Sequence, residues 1–169
     1  MRLSCRDHPH DPAQGLVFDG RIVEDFKLST GTFVSVGKVR VTALAATSPL
    51  LLDAVVCGHD RDSVGLLAWP NLAAARELVG DPDADPETIV RAPELIEHVR
   101  RKLTAHNREH SGSSERIARV MLLAEPPSLD ANEITDKGYI NQRAALQRRA
   151  AQVSALYAQP PPVDVIVCP

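Results

Sequence analysis

Cysteine, aromatic residues and long apolar runs are all scarce in this chain of 169 residues. The three cysteines, Cys5, Cys57 and Cys168, are odd in number and far apart, so we expect free thiols and no disulfide framework. No apolar run approaches the roughly 20 residues that a helix needs to cross a bilayer, so we expect no membrane association. The first residues lack the apolar middle of a signal peptide, which predicts a cytoplasmic protein.

Positive charge is not in excess either. The formal net charge is −3, whereas a nucleic-acid-binding domain usually carries a basic face, so we expect no nucleic-acid partner. The sequence has no glycine-rich phosphate loop, no GxSxG and no HExxH. With 44% hydrophobic residues, the chain is long enough to bury a core as a single domain.

The sequence does contain a series of short strand and helix patterns. Apolar runs rich in β-branched residues predict strands at 50–57, 64–69 and 117–123. Apolar residues at helical spacing, with suitable capping residues and prolines, predict helices over 38–47, 71–79, 93–106 and 141–158. Asp85-Pro86 also suits a helix start. The sum is an α+β fold, in which a small, mainly antiparallel sheet is packed with helices and preceded by a β-hairpin.

Two of the predicted helices have a predicted orientation. In the helix from residue 38, three residues fall on one side and are expected to pack inward: Val41, Leu44 and Ala45. In the last helix, a charged stripe is expected to face water: Arg143, Arg148 and Arg149. The residues of that helix that can pack are Leu146, Val153 and Leu156.

The ends of the domain are marked by polar and proline-rich segments. Residues 1–14 predict a flexible leader, and 15–158 form the predicted domain. Residues 159–169 form a proline-rich tail, which either leaves the fold or adds an edge strand at 163–167.

The predicted hairpin, residues 26–36, turns at Thr30-Gly31. Gly31 either supplies the positive φ of the turn or lets a ligand chain pass close to the backbone. The charged residues 19–27 before the turn form either a solvated face or a hinge whose polar residues face water in two domain orientations.

Lys137 is the strongest candidate for chemistry. Lysine is rare here, with four residues against fifteen arginines, and Lys137 lies between Asp136 and Gly138. An ammonium group fits between two anionic oxygens where a planar guanidinium does not. The alternative is a solvated loop lysine.

Two other clusters of polar residues are weaker candidates. Near the start of the chain, four residues resemble metal ligands by type but have no second ligand pair elsewhere, so we predict no metal site there: Cys5, His8, His10 and Asp11. His59 and Asp60 lie in a loop between two strands and are interpreted as turn formers.

Two blocks at domain-length separation resemble the adenylate-forming enzymes, which include acyl-CoA synthetases, luciferases and peptide-synthetase adenylation domains. The block FDGRIVEDFKLSTGTFVSVGKVR, residues 18–40, resembles the glycine–arginine motif that opens their small C-terminal domain. The block LLAEPPSLDANEITDKGYINQR, residues 122–143, resembles their terminal lysine motif, and its part EITDKGYINQR is similar to the feruloyl-CoA synthase subgroup. Between them, AVVCGHDRDSVGLLAWPN is similar to the central paired strands of that domain. The resemblance extends over about residues 15–158.

The resemblance implies a ligase that works in two steps. ATP and a carboxylic acid, such as ferulate, give an acyl-adenylate and pyrophosphate; the small domain then rotates and coenzyme A forms the thioester. Lys137 would bridge the substrate carboxylate and the α-phosphate. Arg21 would lie near the ribose and phosphates, and Gly31 would line the channel for coenzyme A. Mg²⁺ would be held mainly by the large N-terminal domain.

The sequence departs from the usual pattern at one position and leaves another unassigned. The terminal motif normally places lysine directly after glycine, but here Tyr139 follows Gly138 and Lys137 precedes it. Either the loop is shifted or the bridging role is served differently. The hinge falls at Val23 when the motifs are aligned on Lys27, and at Glu24 when they are aligned on Gly31.

The resemblance includes none of the large N-terminal domain, which holds the phosphate loop and the acid pocket in these enzymes. We therefore expect a fragment that is inactive alone and whose main partner is that domain. The alternative is a non-catalytic α+β interaction module whose charged hairpin docks on another protein.

Overall fold

The computed structural model describes residues 3–7, 16–21 and 24–169, with side chains from residue 24 onward. Near the start of the chain, the strands β1 (Leu3–Asp7) and β2 (Leu16–Arg21) form a two-stranded antiparallel sheet. β1 lies within the segment for which the sequence predicts a leader. The other strands are β3 (Phe26–Lys27), β4 (Phe33–Val34), β5 (Leu51–Cys57), β6 (Val64–Pro70), β7 (Ile117–Leu122) and β8 (Val165–Val167). The helices are α1 (Val36–Thr47), α2 (Leu72–Val79), α3 (Pro86–Arg91), α4 (Pro93–Glu109), α5 (Gln142–Arg148) and α6 (Ala150–Leu156).

The main sheet has four strands in the order β5-β6-β7-β8. Its outer pairs are antiparallel, whereas β6 and β7 are parallel. A parallel pair needs a long crossover, and here α2, α3 and α4 supply it. The predicted α+β fold, with its mainly antiparallel sheet and preceding hairpin, is confirmed. The C-terminal segment adds the edge strand β8, which was one of the two alternatives.

Helices cover both faces of the main sheet, so adjacent residues of one strand enter different cores. Val56 and Leu66 belong to the core formed with α1–α4. Val55 and Leu67 belong to the core formed with α5 and α6. In the described part of the chain, no helix combines the length and apolarity needed to cross a membrane.

Capping residues explain where several helices begin. Asn71 accepts a hydrogen bond from Ala74 N ahead of α2, and Asp85 accepts one from Thr88 N ahead of α3. α3 and α4 each begin with proline, whose missing N–H costs nothing at a first helical position. The predicted starts of these helices are confirmed, and α4 extends three residues beyond the predicted end at residue 106.

The predicted inward face of α1 is correct only for Leu44, which is partly buried against the core. Val41 is 67% exposed and Ala45 is also exposed, whereas the buried residues are Val36, Val39, Ala43 and Thr47. Apolar residues occur on every side of this helix, so periodicity alone does not select a face. Packing on the sheet selects it.

The predicted last helix is interrupted, and one residue of its charged stripe is misassigned. α5 ends at Arg148 and α6 begins at Ala150, with Arg149 between them. Arg143 and Arg148 are exposed as predicted, but Arg149 is only 1% exposed. Its partner is a buried carboxylate 16 residues earlier in the chain, which helical periodicity does not reveal.

The β3–β4 hairpin packs on the loop between β5 and β6. Ser29 N donates to Arg61 O, and Asp60 N donates to Lys27 O. Gly58 makes this close approach possible, because a Cβ at that position would lie 3.0 Å from the Phe26 ring and from a backbone oxygen. The hairpin is therefore fixed to the main sheet by backbone hydrogen bonds.

Candidate functional site

Lys137 lies in a short hairpin turn, residues 134–140, which we call the lysine turn. An isolated β-bridge joins Ile134 and Ile140 at its base. At its tip, Gly138 N donates to Thr135 O at 2.9 Å, and Gly138 has a φ of 80°. A residue with positive φ closes a three-residue hairpin loop of this kind, and glycine adopts that conformation without strain.

The Lys137 side chain is exposed and forms no hydrogen bond or ion pair with the residues that the structure describes. Tyr139, also in the turn, is 63% exposed. The ammonium group can therefore approach a second body without first breaking a contact within the described region. The turn itself is held at both ends.

At its start, the lysine turn is anchored by Glu133, which is fully buried. Arg149 Nε donates to Glu133 Oε1 at 2.7 Å, and Arg149 Nη2 donates to Oε2 at 3.1 Å. Ser128 N also donates to Oε2 at 2.9 Å, and Arg148 Nε lies 3.2 Å from the same oxygen. A guanidinium that binds a carboxylate through two nitrogens fixes orientation as well as distance.

At its end, the turn leads into α5, where Gln142 is 3% exposed. The Gln142 side chain accepts a hydrogen bond from Val56 N and donates one to Val56 O. Asn141 caps α5 by accepting from Ala144 N. The chain on this side of the turn is thus attached to the edge strand β5.

The Arg149 guanidinium also connects the turn to the end of β7. It donates to Pro126 O at 3.1 Å, and its Cζ lies 5.2 Å from the centre of the Trp69 ring. The hydrogen bond from Arg148, together with the charge of Arg149, lowers the pKa of the Glu125 carboxyl. Every charge of this cluster has an opposite charge beside it.

A polar cavity of about 440 Å³ opens beside the lysine turn. Its lining includes Thr135, Asn141, Arg143 and Gln147. Arg143 is exposed there, so the cavity presents a cation and several hydrogen-bonding groups beside the base of the lysine turn, although Lys137 itself does not line it. Such a lining suits a polar or anionic group.

Gly31 has a φ of 83° and donates through its N–H to Leu28 O at 2.8 Å. It therefore supplies the positive φ of the hairpin turn. A Cβ at this position would meet nothing within 4 Å, so space for a passing ligand chain also exists. No hydrogen bond or ion pair among the described residues joins Gly31 to Lys137.

The other predicted site residues lie at the boundary of the described region. Arg21 ends β2, and its side chain lies outside the described residues, as does Val23. Glu24 is partly buried. Asp25 accepts a hydrogen bond from Val36 N at 2.9 Å and so fixes the start of α1. A hinge at Val23 or Glu24 would thus lie just before Asp25, whose side chain is bonded to the first residue of α1.

No group of three or more potential metal ligands occurs among the residues that the structure describes. The early cluster predicted not to bind metal, Cys5, His8, His10 and Asp11, lies outside the described side chains. His59 Nδ1 lies 2.9 Å from Asp60 Oδ2 on the surface. Asp60 has a φ of 56°, in keeping with a residue that forms a turn.

Sequence reasoning missed both anchors of the lysine turn. Glu133 and Gln142 were part of the terminal motif, but no role was predicted for either. Arg149 was assigned to the water-facing stripe. One signal was available. Arg149 falls among the apolar positions of the helix and close to Leu146 and Val153 in the helical spacing, which favours a buried arginine with a partner.

Comparison with protein families gives a match over most of the chain. The sequence profile of the family described as the AMP-binding enzyme C-terminal domain matches residues 28–160. No curated protein sequence matches the chain significantly.

Several solved structures share the fold. The A domain of a carboxylic acid reductase from Segniliparus rugosus, in complex with AMP and a co-purified carboxylic acid, gives a TM-score of 0.63 at 23% identity, covering 85% of this chain and 21% of that one. The adenylation domain of a carboxylate reductase from Mycobacterium chelonae gives 0.64 at 20% identity, covering 84% and 20%. An anthranilate CoA ligase in complex with anthranoyl-AMP gives 0.52 at 21% identity, covering 85% and 23%. The chain spans about a fifth of the length of these structures.

Proposed function

The chain belongs to the C-terminal domain family of AMP-binding enzymes, and on this premise we propose that it is the mobile domain of an ATP-dependent acid–CoA ligase. The substrate is an aromatic carboxylic acid such as ferulate. The observation that carries the proposal is the lysine turn, which presents one exposed amine between two buried anchors.

In the first step, a carboxylate oxygen attacks the α-phosphorus of ATP, and the bond to the departing pyrophosphate breaks. Both reactants are anionic, so they repel each other unless a cation lies between them. The ammonium of Lys137 supplies that cation, holding the carboxylate and the α-phosphate together and stabilising the charge of the transition state. Its exposure leaves it able to enter a site that a second domain forms.

In the second step, the coenzyme A sulfur attacks the carbonyl carbon of the acyl-adenylate, losing its thiol proton, and AMP departs. The domain rotates between the steps, with Val23 or Glu24 as the hinge. The open side of Gly31 then lines the pantetheine channel, and Arg21 contacts the ribose and phosphates. Mg²⁺ bound to the ATP phosphates by the large domain would neutralise further charge.

An aromatic acid is favoured by two observations. The segment 133–143, EITDKGYINQR, is similar to the feruloyl-CoA synthase subgroup, and an anthranilate CoA ligase is among the proteins that share the fold. The large domain is the proposed partner, because the acid and nucleotide pockets of the family belong to it. The chain alone is therefore proposed to be inactive.

ATP–pyrophosphate exchange with ferulate tests the proposal. The 169-residue chain alone should give no exchange, and the complete enzyme that joins it to its large domain should give exchange. Turnover by the chain alone would overturn the need for a second domain. No exchange by the complete enzyme with any aromatic acid would favour the non-catalytic interaction module.

The Lys137→Ala variant of the complete enzyme tests the residue itself. Adenylation should fall by about 10²–10³-fold, the usual loss for a group that stabilises transition-state charge. Thioester formation from preformed acyl-adenylate should change far less. Lys102→Ala, which removes a partly buried lysine from α4, is the matched control. Equal losses in both half-reactions would remove the proposed role from Lys137.

A further inference from the structure

We propose that the buried Glu133–Arg149 ion pair is a positioning device that holds the lysine turn in place for adenylation. The inference rests on the proposed role of Lys137 and adds two residues that never touch substrate. Glu133 is 0% exposed and Arg149 is 1% exposed, so neither can contact a ligand directly. Their effect has to pass through the turn.

Glu133 is joined to the turn by its backbone and to the body of the domain by its side chain. Its carbonyl accepts a hydrogen bond from Asn141 N at 2.8 Å, which closes the base of the turn. Its carboxylate binds Arg149 and Ser128 N. A displacement of this residue therefore displaces both strands of the turn.

Arg149 is itself held in place by several independent contacts. Its Nη2 donates to the carbonyls of Glu125 and Pro126, just beyond β7, and its Cζ lies over the Trp69 ring of β6. Its backbone links α5 to α6, because Arg149 N donates to Ala145 O and Arg149 O accepts from Val153 N. The guanidinium thus fixes the position of the turn relative to the main sheet.

Stability alone does not explain why this pair is ionic. Removing two charges from water costs about as much as their attraction returns, and well-packed apolar side chains of similar volume often stabilise a protein equally well. A bidentate pair instead fixes distance and angle, which apolar packing does less sharply. A lysine that takes part in adenylation has to be placed accurately, since a displacement of about 1 Å can lower the reaction rate by about a hundredfold.

Glu133→Gln is the most specific single substitution. It keeps the volume of the side chain but replaces one accepting carboxylate oxygen by an NH₂ group that can only donate. A Gln amide at Oε2 would face three donors, from Ser128, Arg149 and Arg148. The flipped amide would face Arg149 Nε. The variant therefore breaks the anchor in either orientation.

The double variant Glu133→Leu with Arg149→Met covers the possibility that the single variant fails to fold. It replaces the pair by apolar side chains and should keep the domain folded, while the turn loses its fixed base. Glu87→Gln, which breaks an exposed ion pair with Arg91 on α3, is the matched control.

The experiment measures both half-reactions in the complete enzyme and amide hydrogen exchange in the lysine turn. In the double variant, adenylation should fall by about ten- to a hundredfold. Thioester formation from preformed adenylate should stay within about twofold, and residues 134–140 should exchange faster. Glu87→Gln should change none of these quantities.

Combining the double variant with Lys137→Ala shows whether the ion pair positions the lysine or has only a structural role. If the pair acts through the lysine, the double variant should lower adenylation much less in the Lys137→Ala background, because interacting residues are not additive. Equal loss of both half-reactions, full additivity or unchanged adenylation would overturn the positioning role while leaving the proposed function intact. If Lys137→Ala itself leaves adenylation unchanged, the proposed function fails and the positioning role fails with it.

Discussion

The side chain of Gln142 pairs with the backbone of Val56 as a neighbouring strand would. Its Oε1 accepts from Val56 N at 3.1 Å, and its Nε2 donates to Val56 O. β5 is an edge strand of the main sheet, so these two groups have no partner on a further strand. The residue that follows the lysine turn thereby completes the sheet edge.

Replacing Gln142 by leucine should lower the free energy of unfolding by about 2–4 kcal/mol, because two buried backbone groups lose their partners. Urea denaturation measures this quantity. Gln147→Leu, on the exposed side of α5, is the control and should change the free energy by less than about 0.5 kcal/mol. Similar losses in the two variants would show that the Val56 contacts are not the cause.

The positive φ of Gly138 predicts a backbone penalty for any side chain at that position. A Cβ there would meet nothing within 4 Å, so clashes with other residues do not contribute to this penalty. Gly138→Ala should destabilise the lysine turn by about 1–2 kcal/mol, seen as faster hydrogen exchange at residues 134–140. Gly138→Asn should cost less, since asparagine tolerates the left-handed region. Gly112→Ala, where positive φ is not required, should leave exchange in the turn unchanged.

Burial of His106 predicts a loss of stability in mild acid. Desolvation lowers its pKa below the ordinary value of 6.5, aided by the charge of the neighbouring His110, while Glu115 and Glu109 act in the opposite direction. Between the lowered pKa and 6.5 the unfolded chain binds the proton and the folded chain does not, so the free energy of unfolding falls as the pH drops through this range.

Urea denaturation at pH 7.5 and 5.5 measures this loss, and His106→Gln should reduce it. Glu115 and Glu125 have pKa values lowered by hydrogen bonds from Lys38 and Arg148, so their contributions disappear at more acidic pH. An unchanged difference between the two pH values in His106→Gln would contradict the prediction.

Two thiols should be unreactive in the folded domain. Burial raises the pKa of Cys57 and of Cys168 to about 12 in each case, so almost no thiolate exists near pH 8. In a Cys5→Ser background, an aromatic disulfide reagent should titrate no thiol before unfolding and two after it. Rapid reaction of either thiol in the folded state would show that it is accessible.

The predicted elements and the predicted faces differ in how well they agree with the structure. The strands β5, β6 and β7 and the starts of α2, α3 and α4 were predictable, because β-branched runs, Asn and Asp caps and prolines act over a few residues. The inward face of α1 was not, since Val41 and Val39 are equally apolar and only packing distinguishes them. The proposed role of Lys137 came from a resemblance, whereas the pairing of Glu133 with Arg149 required the tertiary structure.

The sequence by itself determined where the chain turns, where α2, α3 and α4 begin and which lysine follows Asp136. The tertiary structure alone decided that Glu133 is the partner of Arg149 and that Gln142 closes the edge of the sheet. The physical reason is range. Caps and turns depend on neighbours within about four residues, whereas a buried charge is stable only if the fold brings an opposite charge and hydrogen-bond partners to it.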